Sequence, residues 1–187
     1  SKRQEMAETM GSAEKVARQH SRGKLDARER IKRLLDKDSF REIGKLAGTG
    51  RYDAQGQLIE SSPSNFIFGQ GAIHSRPVVA SADDFTVRGG AGDAAIYRKF
   101  VHAEQMAGEY GLPIIRMIDG TGGGGSVKSL EAMGYTYVPA VPGFEHIAGN
   151  LQKVPVVALA LGPCAGLGAA RVVASHYSVM VKGLSQV

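Results

Sequence analysis

The 187-residue sequence predicts an α/β protein built on a parallel sheet, and two observations lead to this fold class. Residues 113–119 predict a buried strand, and residues 154–161 have the near-continuous apolar character of a strand inside a parallel sheet. Each of these strands ends in a glycine loop, and a helical segment and another strand follow. This repeated order of strand, loop, helix and strand requires right-handed crossovers between parallel strands.

Residues 1–45 predict a basic helical segment. They carry thirteen Lys and Arg against eight Asp and Glu, whereas residues 46–187 carry ten of each, so this segment holds the whole net charge of +5. Apolar spacing predicts one helix over residues 3–20, which a glycine ends. A second, short helix is predicted next, because Asp26 and Glu29 have the spacing of a capping box.

The positive charge of this segment leaves three interpretations open: nucleic-acid binding, a solvated helical arm, or a site for the phosphates of a small ligand. Aromatic residues are not interleaved with the charges, as single-stranded nucleic acids would require. We favour the solvated arm over a nucleic-acid site.

Residues 46–187 predict one α/β domain. Residues 46–64 are polar and rich in Gly, Ser and Pro, which predicts a loop with a short edge strand. Two strands joined by a turn around His74 follow. The further predicted elements are a glycine loop at 87–93, a helix at 93–110, the strand at 113–119, a helix at 144–152, the strand at 154–161, a helix at 168–175 and a strand at 178–182. Because the sequence ends just after that strand, we expect an incomplete domain.

The composition limits location and chemistry. No apolar run approaches the roughly 20 residues of a membrane span, and the N-terminus lacks the apolar stretch of a secretion signal. The single cysteine, Cys164, excludes an internal disulfide, favours a cytoplasmic location, and is expected to be a buried spacer rather than a nucleophile. The five histidines show no metal-ligand spacing, so no metal site is expected.

Two glycine loops, residues 120–125 and 162–168, follow the two buried strands. Ligands of open α/β sheets bind at this rim, where the first amides of the next helix have no partner and glycine lets a ligand approach them. Each loop is therefore a candidate site for a negative charge or a developing oxyanion, with tight turns alone as the structural alternative. We expect Asp119, directly before the first loop, to close the strand rather than act as an acid.

Other glycine-loop motifs fit less well. The first loop matches the dinucleotide pattern G-x-G-x-x-G, but a run of glycines matches it by chance and no acidic residue ends the next strand. The loop lacks the Gly-Lys-Ser/Thr of a phosphate loop and the G-x-S-x-G of a nucleophile elbow. Asp83 and Asp84 would face opposite sides of a strand, so they make an unsuitable carboxylate pair. A site with amides and few acids or bases needs a substrate that brings its own base.

Four stretches, in order along the chain, resemble the carboxyltransferase (beta) subunit of biotin-dependent acyl-CoA carboxylases such as propionyl-CoA carboxylase. They are EKVARQHSRGKLDARERIKRLLDKDSF at 14–40, ASADDFTVRGGAGD at 80–93, GLPIIRMIDGTGGGG at 111–125 and VPVVALALGPCAGLGAA at 154–170. The resemblance implies a crotonase (ClpP-like) fold, a spiral of ββα units, here with N-terminal helices. Full subunits of the family have two such domains, and the chain resembles most of the first, which binds acyl-CoA. A domain of another subunit presents the biotin site.

The resemblance also implies the reaction, which transfers a carboxyl group from carboxybiotin to the α-carbon of an acyl-CoA of the propionyl or acetyl type. Biotin removes the α-proton, the enolate attacks released CO2, and backbone amides stabilise the oxyanion. By the family pattern, the first amide donor falls at Gly122 or Gly123, and the second falls within Gly166, Leu167 and Gly168. The sequence departs from the family where an arginine usually follows the first glycines, and where Leu167 replaces a small residue.

The implied coenzyme A site combines basic residues of the N-terminal segment with small residues of the loops: Arg22, Lys24, Arg28, Gly89, Gly90 and Ala165. No Ala-Met-Lys-Met motif occurs, so biotin is expected on a biotin carboxylase or carrier partner. A homo-oligomer, a hexamer by resemblance, is expected, without nucleic acid or membrane, and in the mitochondrial matrix if the source is eukaryotic. A biotin-dependent decarboxylase, a crotonase-type hydratase or isomerase, and an inactive module are the alternatives.

Overall fold

The computed structural model describes residues 2–91, 96–120, 122, 131, 134–135 and 143–187, and the fold is given for these residues. The described helices are α1 (Lys2–Glu8), α2 (Ala13–Ser21), α3 (Ala27–Leu34), α4 (Tyr97–Tyr110), α5 (Phe144–Asn150) and α6 (Leu167–Val173), with a short 3-10 turn at Arg88–Gly90. The described strands are β1 (Arg41–Ile43), β2 (Gly48–Tyr52), β3 (Leu58–Pro63), β4 (Phe66–Ile73), β5 (Arg76–Asp83), β6 (Ile114–Gly120), β7 (Val156–Cys164) and β8 (Tyr177–Met180).

Six of these strands form one mixed sheet in the order β1-β4-β5-β6-β7-β8. The pairs β1–β4 and β4–β5 are antiparallel, whereas β5, β6, β7 and β8 run parallel to one another. Strands β2 and β3 form a separate antiparallel pair. The parallel sheet predicted from the apolar runs is therefore confirmed, with an antiparallel hairpin at one side.

Alternate residues of the central strands point to opposite faces of this sheet, so the core has two halves. Phe68, Val79 and Ile114 pack with apolar residues of α4 and α5 on one face. Ile67 and Ile115 pack with the apolar side of α3 on the other face. The N-terminal segment is thus part of the core, and the prediction of a solvated arm is wrong for α3.

The N-terminal helix predicted over residues 3–20 is in fact two helices, separated at residues 9–12. Gly11 causes the break, because its backbone lies against Thr86, which accepts a hydrogen bond from the Gly11 N–H at 2.9 Å. Ser12 then caps α2 by accepting a hydrogen bond from the Lys15 N–H at 3.2 Å. The predicted cap of α3 is confirmed, since the Asp26 carboxylate accepts from the Glu29 N–H at 2.9 Å.

Two hairpins precede the parallel part of the sheet. The turn between β4 and β5 is confirmed, and it is tight because His74 and Ser75 both have positive φ, 49° and 64°. Asp36 holds this turn by accepting hydrogen bonds from both of its amides at 3.0 and 2.7 Å. The loop predicted over residues 46–64 instead contains the β2–β3 hairpin, whose polar sequence masks the strand pattern.

The elements predicted in the C-terminal half are confirmed at α4, α5, α6, β6, β7 and β8, with ends that differ by a few residues. Helix α4 ends at Gly111, which has the left-handed φ of 64° that favours glycine. Its predicted start at residue 93 lies outside the described residues. None of the described helices combines the length and apolar character needed to cross a membrane.

Candidate functional site

The two glycine loops meet at the carboxyl ends of β6 and β7. These strands are neighbours, Gly120 pairs with Cys164, and the Ala165 N–H donates to the Gly120 carbonyl at 3.2 Å. Gly122 has a φ of 77°, and a Cβ atom built on it would lie 2.7 Å from the Ala165 carbonyl oxygen. The contact leaves no room for a side chain, so glycine is required for the loops to lie this close.

The second loop presents backbone amides at the start of α6. The N–H groups of Gly166 and Leu167 have no acceptor among the described residues. The N–H of Gly168 differs, because it donates to the Ala165 carbonyl at 3.0 Å. Of the three residues predicted to hold the second donor, Gly166 and Leu167 are therefore the ones with a free amide in the described structure.

The first loop is described in part. The N-H of Gly122 also lacks an acceptor among the described residues, whereas Gly123 lies outside them. A third loop, the 3-10 turn at residues 88–90, packs beside it. A Cβ atom on Gly90 would lie 2.5 Å from the Asp119 carbonyl oxygen and 2.8 Å from the Cα of Gly120. Three glycine-containing turns thus converge on one rim of the sheet.

Directly behind this rim, Asp119 lies fully buried between two cations from the N-terminal segment. Its Oδ1 accepts from Lys24 Nζ and its Oδ2 accepts from Arg30 Nη2, each at 2.7 Å. The side chains of Lys24 and Arg30 are only 9% and 4% exposed. Lys24 also lies 4.4 Å from the centre of the Phe85 ring. With both oxygens engaged, Asp119 has the structural role expected for a residue that closes its strand.

A second buried ion pair continues from Asp119. The Asp119 N–H donates to Asp83 Oδ2 at 3.2 Å, and Asp83 accepts from Arg171 Nη1 at 2.9 Å. Arg171 lies on α6, and Phe66 and Phe100 flank its guanidinium with ring centres 5.4 and 5.1 Å away. The pair joins the end of β5 to the helix that follows the second glycine loop.

Asp84, next to Asp83, points elsewhere, as expected from strand alternation. It accepts hydrogen bonds from the N–H and the hydroxyl of Thr86 at 2.9 and 2.6 Å. Burial raises the pKa of Asp84 above its usual range, and the hydrogen bonds from Thr86 oppose that shift. The two neighbouring carboxylates therefore form no catalytic pair.

A basic groove opens beside the third glycine turn, with a volume of about 230 Å³. None of the described residues that line it is acidic. The lining residues are Lys15, Arg18, Gln19, Arg22, Lys24, Phe85, Thr86, Arg88 and Gly89. Lys15, Arg18 and Arg22 are exposed to solvent, and Arg18 forms a surface ion pair with Glu14 at 2.8 Å. Three of the predicted CoA-binding residues, Arg22, Lys24 and Gly89, thus share one groove.

Arg28, also predicted at the CoA phosphates, lies apart from this groove. Its guanidinium donates to the Glu42 carboxylate at 2.9 Å and to the Ala7 carbonyl at 3.2 Å. Lys99 lines the same small cleft as Arg28 and Glu42, and burial lowers its pKa to about 8. These contacts join α1, α3 and β1, so Arg28 has a partner within the fold.

Two further groups bear on the chemistry of the chain. Cys164 is buried, and burial raises the pKa of its thiol to about 11, which suits a spacer and not a nucleophile. His20, Asp26 and Glu29 bring three possible metal-ligand atoms together, with His20 Nε2 3.1 Å from an oxygen of each carboxylate. The absence of metal remains a prediction, and spacing along the sequence did not reveal this cluster because it joins two helices.

Sequence reasoning missed the cations and acids of the buried network, namely Arg30, Asp83 and Arg171, and the groove residues Lys15, Arg18 and Arg88. A signal for the network was present. Asp83 ends β5 and Asp119 lies one residue before the end of β6, and buried charges in folded proteins are paired. The identity of those partners is set by contacts across 88 and 95 residues of sequence.

The described structure has the crotonase-like fold of carboxyltransferases. Its neighbouring parallel strands end in paired glycine loops, and an N-terminal helical segment packs on the sheet. The chain belongs to the carboxyl transferase family, because the model of the carboxyl transferase domain matches residues 18–187. Both the predicted fold class and the family resemblance are confirmed.

Individual relatives agree with this assignment. The chain is 36% identical to the mitochondrial methylcrotonoyl-CoA carboxylase beta chain of Arabidopsis thaliana, over 92% of this chain and 29% of that protein. It is 30% identical to the methylmalonyl-CoA decarboxylase subunit alpha of Veillonella parvula, over 94% of this chain and 34% of that protein. The chain superimposes on the crystal structure of transcarboxylase 12S with a TM-score of 0.77 and 27% identity, over 100% of this chain and 35% of that chain. That structure is a hexamer with methylmalonyl-coenzyme A bound. The chain spans about a third of the length of the relatives it matches.

Proposed function

We propose that this chain forms the acyl-CoA-binding part of a carboxyltransferase, in which a carboxyl group passes from carboxybiotin to the α-carbon of an acyl-CoA. One observation carries the proposal: in a chain of the carboxyl transferase family, two glycine loops meet where the amides of Gly166 and Leu167 have no acceptor among the described residues. The names of two relatives support a CoA thioester as the substrate.

The amides act on the thioester oxygen. Loss of the α-proton places negative charge on this oxygen as the enolate forms, and amides that are already oriented stabilise that charge without reorganisation. One donor comes from Gly166 or Leu167, and the other comes from Gly122 or Gly123 in the first loop. Gly122, Gly123 and Gly166 have no side chain that would keep the thioester from the backbone.

The basic groove is the proposed site for the phosphates of coenzyme A. Lys15, Arg18 and Arg22 supply positive charge at its exposed side, where no acidic residue among the lining residues opposes a phosphate. The groove leads toward the amides, because Gly89 lines it and Gly90 packs on Gly120. The pantetheine arm follows this path, with Ala165 as a small residue beside it.

Biotin supplies the carboxyl group and the base when it is bound, and we assign its binding to a partner that carries it. The described residues at the rim fit this division of roles. Both oxygens of Asp119 are engaged by cations, and the pKa of Cys164 is about 11, so neither is a ready base. A hydratase or isomerase would need a glutamate after the second loop, where Ala169, Ala170 and Arg171 stand.

The proposal extends to assembly and location. We propose a homo-oligomer, a hexamer like transcarboxylase 12S, in which this chain meets biotin carried by a carboxylase or carrier subunit. The cytoplasm is the proposed location, or the mitochondrial matrix in a eukaryote, as for the Arabidopsis thaliana relative.

Decarboxylation is the second candidate function, favoured by the similarity to the Veillonella parvula subunit. The same amides would stabilise the same enolate when a carboxylated acyl-CoA loses its carboxyl group. The two directions are distinguished by assaying the complete, assembled protein with labelled carboxybiotin and propionyl-CoA, and separately with methylmalonyl-CoA and free biotin. Absence of product in both assays would contradict the proposed activity.

The oxyanion role is tested with Gly166→Ala, because Gly166 has a φ of 55° and an alanine there must shift the loop. We expect kcat to fall by about 10²–10³-fold, as for the loss of one oxyanion donor. Gly183→Ala is the matched control, since Gly183 also has positive φ, 79°, has open space around it and lies outside the site. An equal loss in both variants would argue against an oxyanion role.

The CoA groove is tested by calorimetry on this chain with propionyl-CoA and with propionyl-pantetheine, which lacks the nucleotide. We expect the double variant Lys15→Gln, Arg22→Gln to bind propionyl-CoA about 10-fold more weakly, from the loss of two charge contacts to phosphate. Its affinity for propionyl-pantetheine should not change. Arg33→Gln, an exposed substitution on α3, is the control, and an equal loss for both ligands would contradict the assignment.

A further inference from the structure

The polar cluster behind the glycine loops forms one continuous connection between the N-terminal helices and both loops. It begins at Lys24 and Arg30, which hold the two oxygens of Asp119 at 2.7 Å. It continues from the Asp119 N–H to Asp83 and from Asp83 to Arg171 at 3.2 and 2.9 Å. All five side chains of this connection are largely buried, and the most exposed of them, Lys24 and Asp83, are each only 9% exposed.

The connection begins at the residue that precedes the first loop. Asp119 is followed by Gly120, and the peptide between them packs against Gly90. Because Lys24 and Arg30 hold the Asp119 carboxylate from one side and Asp83 holds its N–H, both its side chain and its backbone are restrained. A shift of Asp119 would break at least one of these contacts.

The cluster also touches the strand that leads into the second loop. Gly162 of β7 lies against Asp119, and a Cβ atom on Gly162 would overlap the carboxylate and lie 2.6 Å from Lys24 Nζ. Arg30 Nη2 lies 3.4 Å from the Leu161 carbonyl, also in β7. Arg171 restrains the far side of the second loop from α6. Both loops are therefore held at their bases by the same set of charges.

The cluster has an excess of positive charge. Three cations face two carboxylates, and buried nitrogens of Arg30 and Arg171 have no hydrogen-bond acceptor in the described structure. A net positive cluster behind the rim is compatible with the negative charge that an enolate brings there. The same five side chains, with their excess of positive charge, would strongly disfavour the binding of a further cation beside them.

We propose that Lys24 and Arg30 are positioning residues, which hold the first glycine loop through Asp119 and the second through Asp83 and Arg171 in the geometry that stabilises the oxyanion. This inference rests on the proposed function. The family resemblance predicts Lys24 at the phosphates of CoA, where it would contribute to the affinity for acyl-CoA. The positioning role instead predicts that Lys24 contributes to kcat. The basic N-terminal segment thereby supplies part of the support of the catalytic site.

The test compares Lys24→Met, Lys24→Arg and Arg33→Met in carboxyl transfer by the complete, assembled protein. We expect Lys24→Met to lower kcat by about 10–100-fold with the KM for acyl-CoA changed by less than about threefold, because misplaced groups lose rate more than binding. Lys24→Arg keeps a positive charge beside Asp119, so it should recover most of kcat. Arg33→Met should have the kcat of the parent. A rise in KM with kcat unchanged would overturn the proposal and make Lys24 a ligand of CoA.

A second variant separates positioning from simple charge compensation. The double variant Lys24→Met, Asp119→Asn loses one charge of each sign and so keeps the net charge that the cluster has in the parent, whereas Lys24→Met alone lowers that net charge by one. The proposal requires kcat to stay low, because the restraint on the loop is still lost. Recovery of the parent kcat would overturn it.

A third readout does not depend on the substrate. Amide hydrogen exchange in the Lys24→Met variant should rise at residues 118–122 and 164–168 while the rest of the sheet keeps its protection. Unchanged exchange in both loops would overturn the positioning role. If the parent protein shows no carboxyl transfer, the proposed function fails, and this exchange comparison still decides whether Lys24 holds the loops.

Discussion

Cations of the same N-terminal segment have two different environments in this protein. Lys24 and Arg30 point toward the sheet and contact Asp119, with side chains 9% and 4% exposed, whereas Lys15 and Arg22 are exposed at the rim of the basic groove. In the sequence the four residues look alike. The net charge of +5 is therefore not one property of the segment, since part of it neutralises buried carboxylates and part faces solvent.

The difference determines what each cation can do. A buried, paired cation cannot be removed without leaving a charged partner in a medium that solvates it poorly, so it is a strong structural restraint. An exposed cation costs little to remove, and its charge is available to a ligand. Lys99 is an intermediate case: it is buried, and it forms no ion pair with a carboxylate among the described residues.

The largest effect is expected for Arg30→Met. The substitution leaves one oxygen of the fully buried Asp119 without its partner, and breaking a buried pair costs about 3–5 kcal/mol in the free energy of unfolding. Arg33→Met removes an exposed arginine from the same helix and should change stability by less than about 0.5 kcal/mol. Urea unfolding of both variants checks this, and equal values would erase the distinction between the two groups of cations.

A smaller effect of opposite sign is expected for Lys99→Met. Burial lowers the pKa of Lys99 to about 8 from 10.5, although Glu42 opposes the shift. Below pH 8 the folded protein carries the full cost of the buried charge, so at pH 7 the variant should be more stable by about 1–3 kcal/mol.

The pH dependence of this difference tests its origin. Between pH 8 and 10.5 the unfolded chain binds a proton at Lys99 that the folded protein does not, so the stability of the parent rises with pH. The advantage of the variant should shrink over this range and vanish near its upper end. A constant difference in urea unfolding at pH 7 and at pH 9.5 would assign the effect to packing and not to charge.

The start of α3 is the next test, because that helix carries Arg30 to its buried position. Asp26 accepts the Glu29 N–H at 2.9 Å, and Asp26→Ala should cost about 1 kcal/mol, as for the loss of other helix caps. Glu14→Ala removes a carboxylate from the exposed side of α2 and should change the free energy of unfolding by less than about 0.5 kcal/mol. Equal thermal shifts in the two variants would contradict the capping role.

The smallest change in stability is expected for Lys15→Gln combined with Arg22→Gln. Both side chains are exposed, so the free energy of unfolding should change by less than about 0.5 kcal/mol. The effect should be seen instead in salt dependence, since exposed charges are screened. The affinity of the parent for propionyl-CoA should fall as NaCl rises, and the double variant should lose most of that dependence. An unchanged salt dependence would argue against the groove as a phosphate site.

Much of the fold could be predicted from local patterns. The β4–β5 hairpin and strands β6, β7 and β8 followed from short-range apolar patterns and glycine positions, and these are confirmed. The break at Gly11 could not be predicted, because it depends on contact with Thr86, which is 75 residues away. The β2–β3 hairpin was predicted mainly as loop because its residues are polar and largely exposed.

The candidate site divides in the same way. The sequence indicated both glycine loops and their place at strand ends. It could not separate Gly168, whose N–H is used by the Ala165 carbonyl, from Gly166 and Leu167, whose amides are free in the described structure. That distinction depends on the exact turn that the backbone takes at the start of α6.

The sequence by itself determined the class of fold, the family and the two loops, because these depend on the order of apolar and glycine residues along the chain. Only the tertiary structure decided which cations are buried, since Lys24 meets Asp119 across 95 residues and Arg171 meets Asp83 across 88. It also decided that Gly122 lies against Ala165 and brings the loops together. Charge and glycine content can be read from the sequence alone. Which ions pair with each other, and which amides stay without an acceptor in the described structure, depends on how distant segments pack.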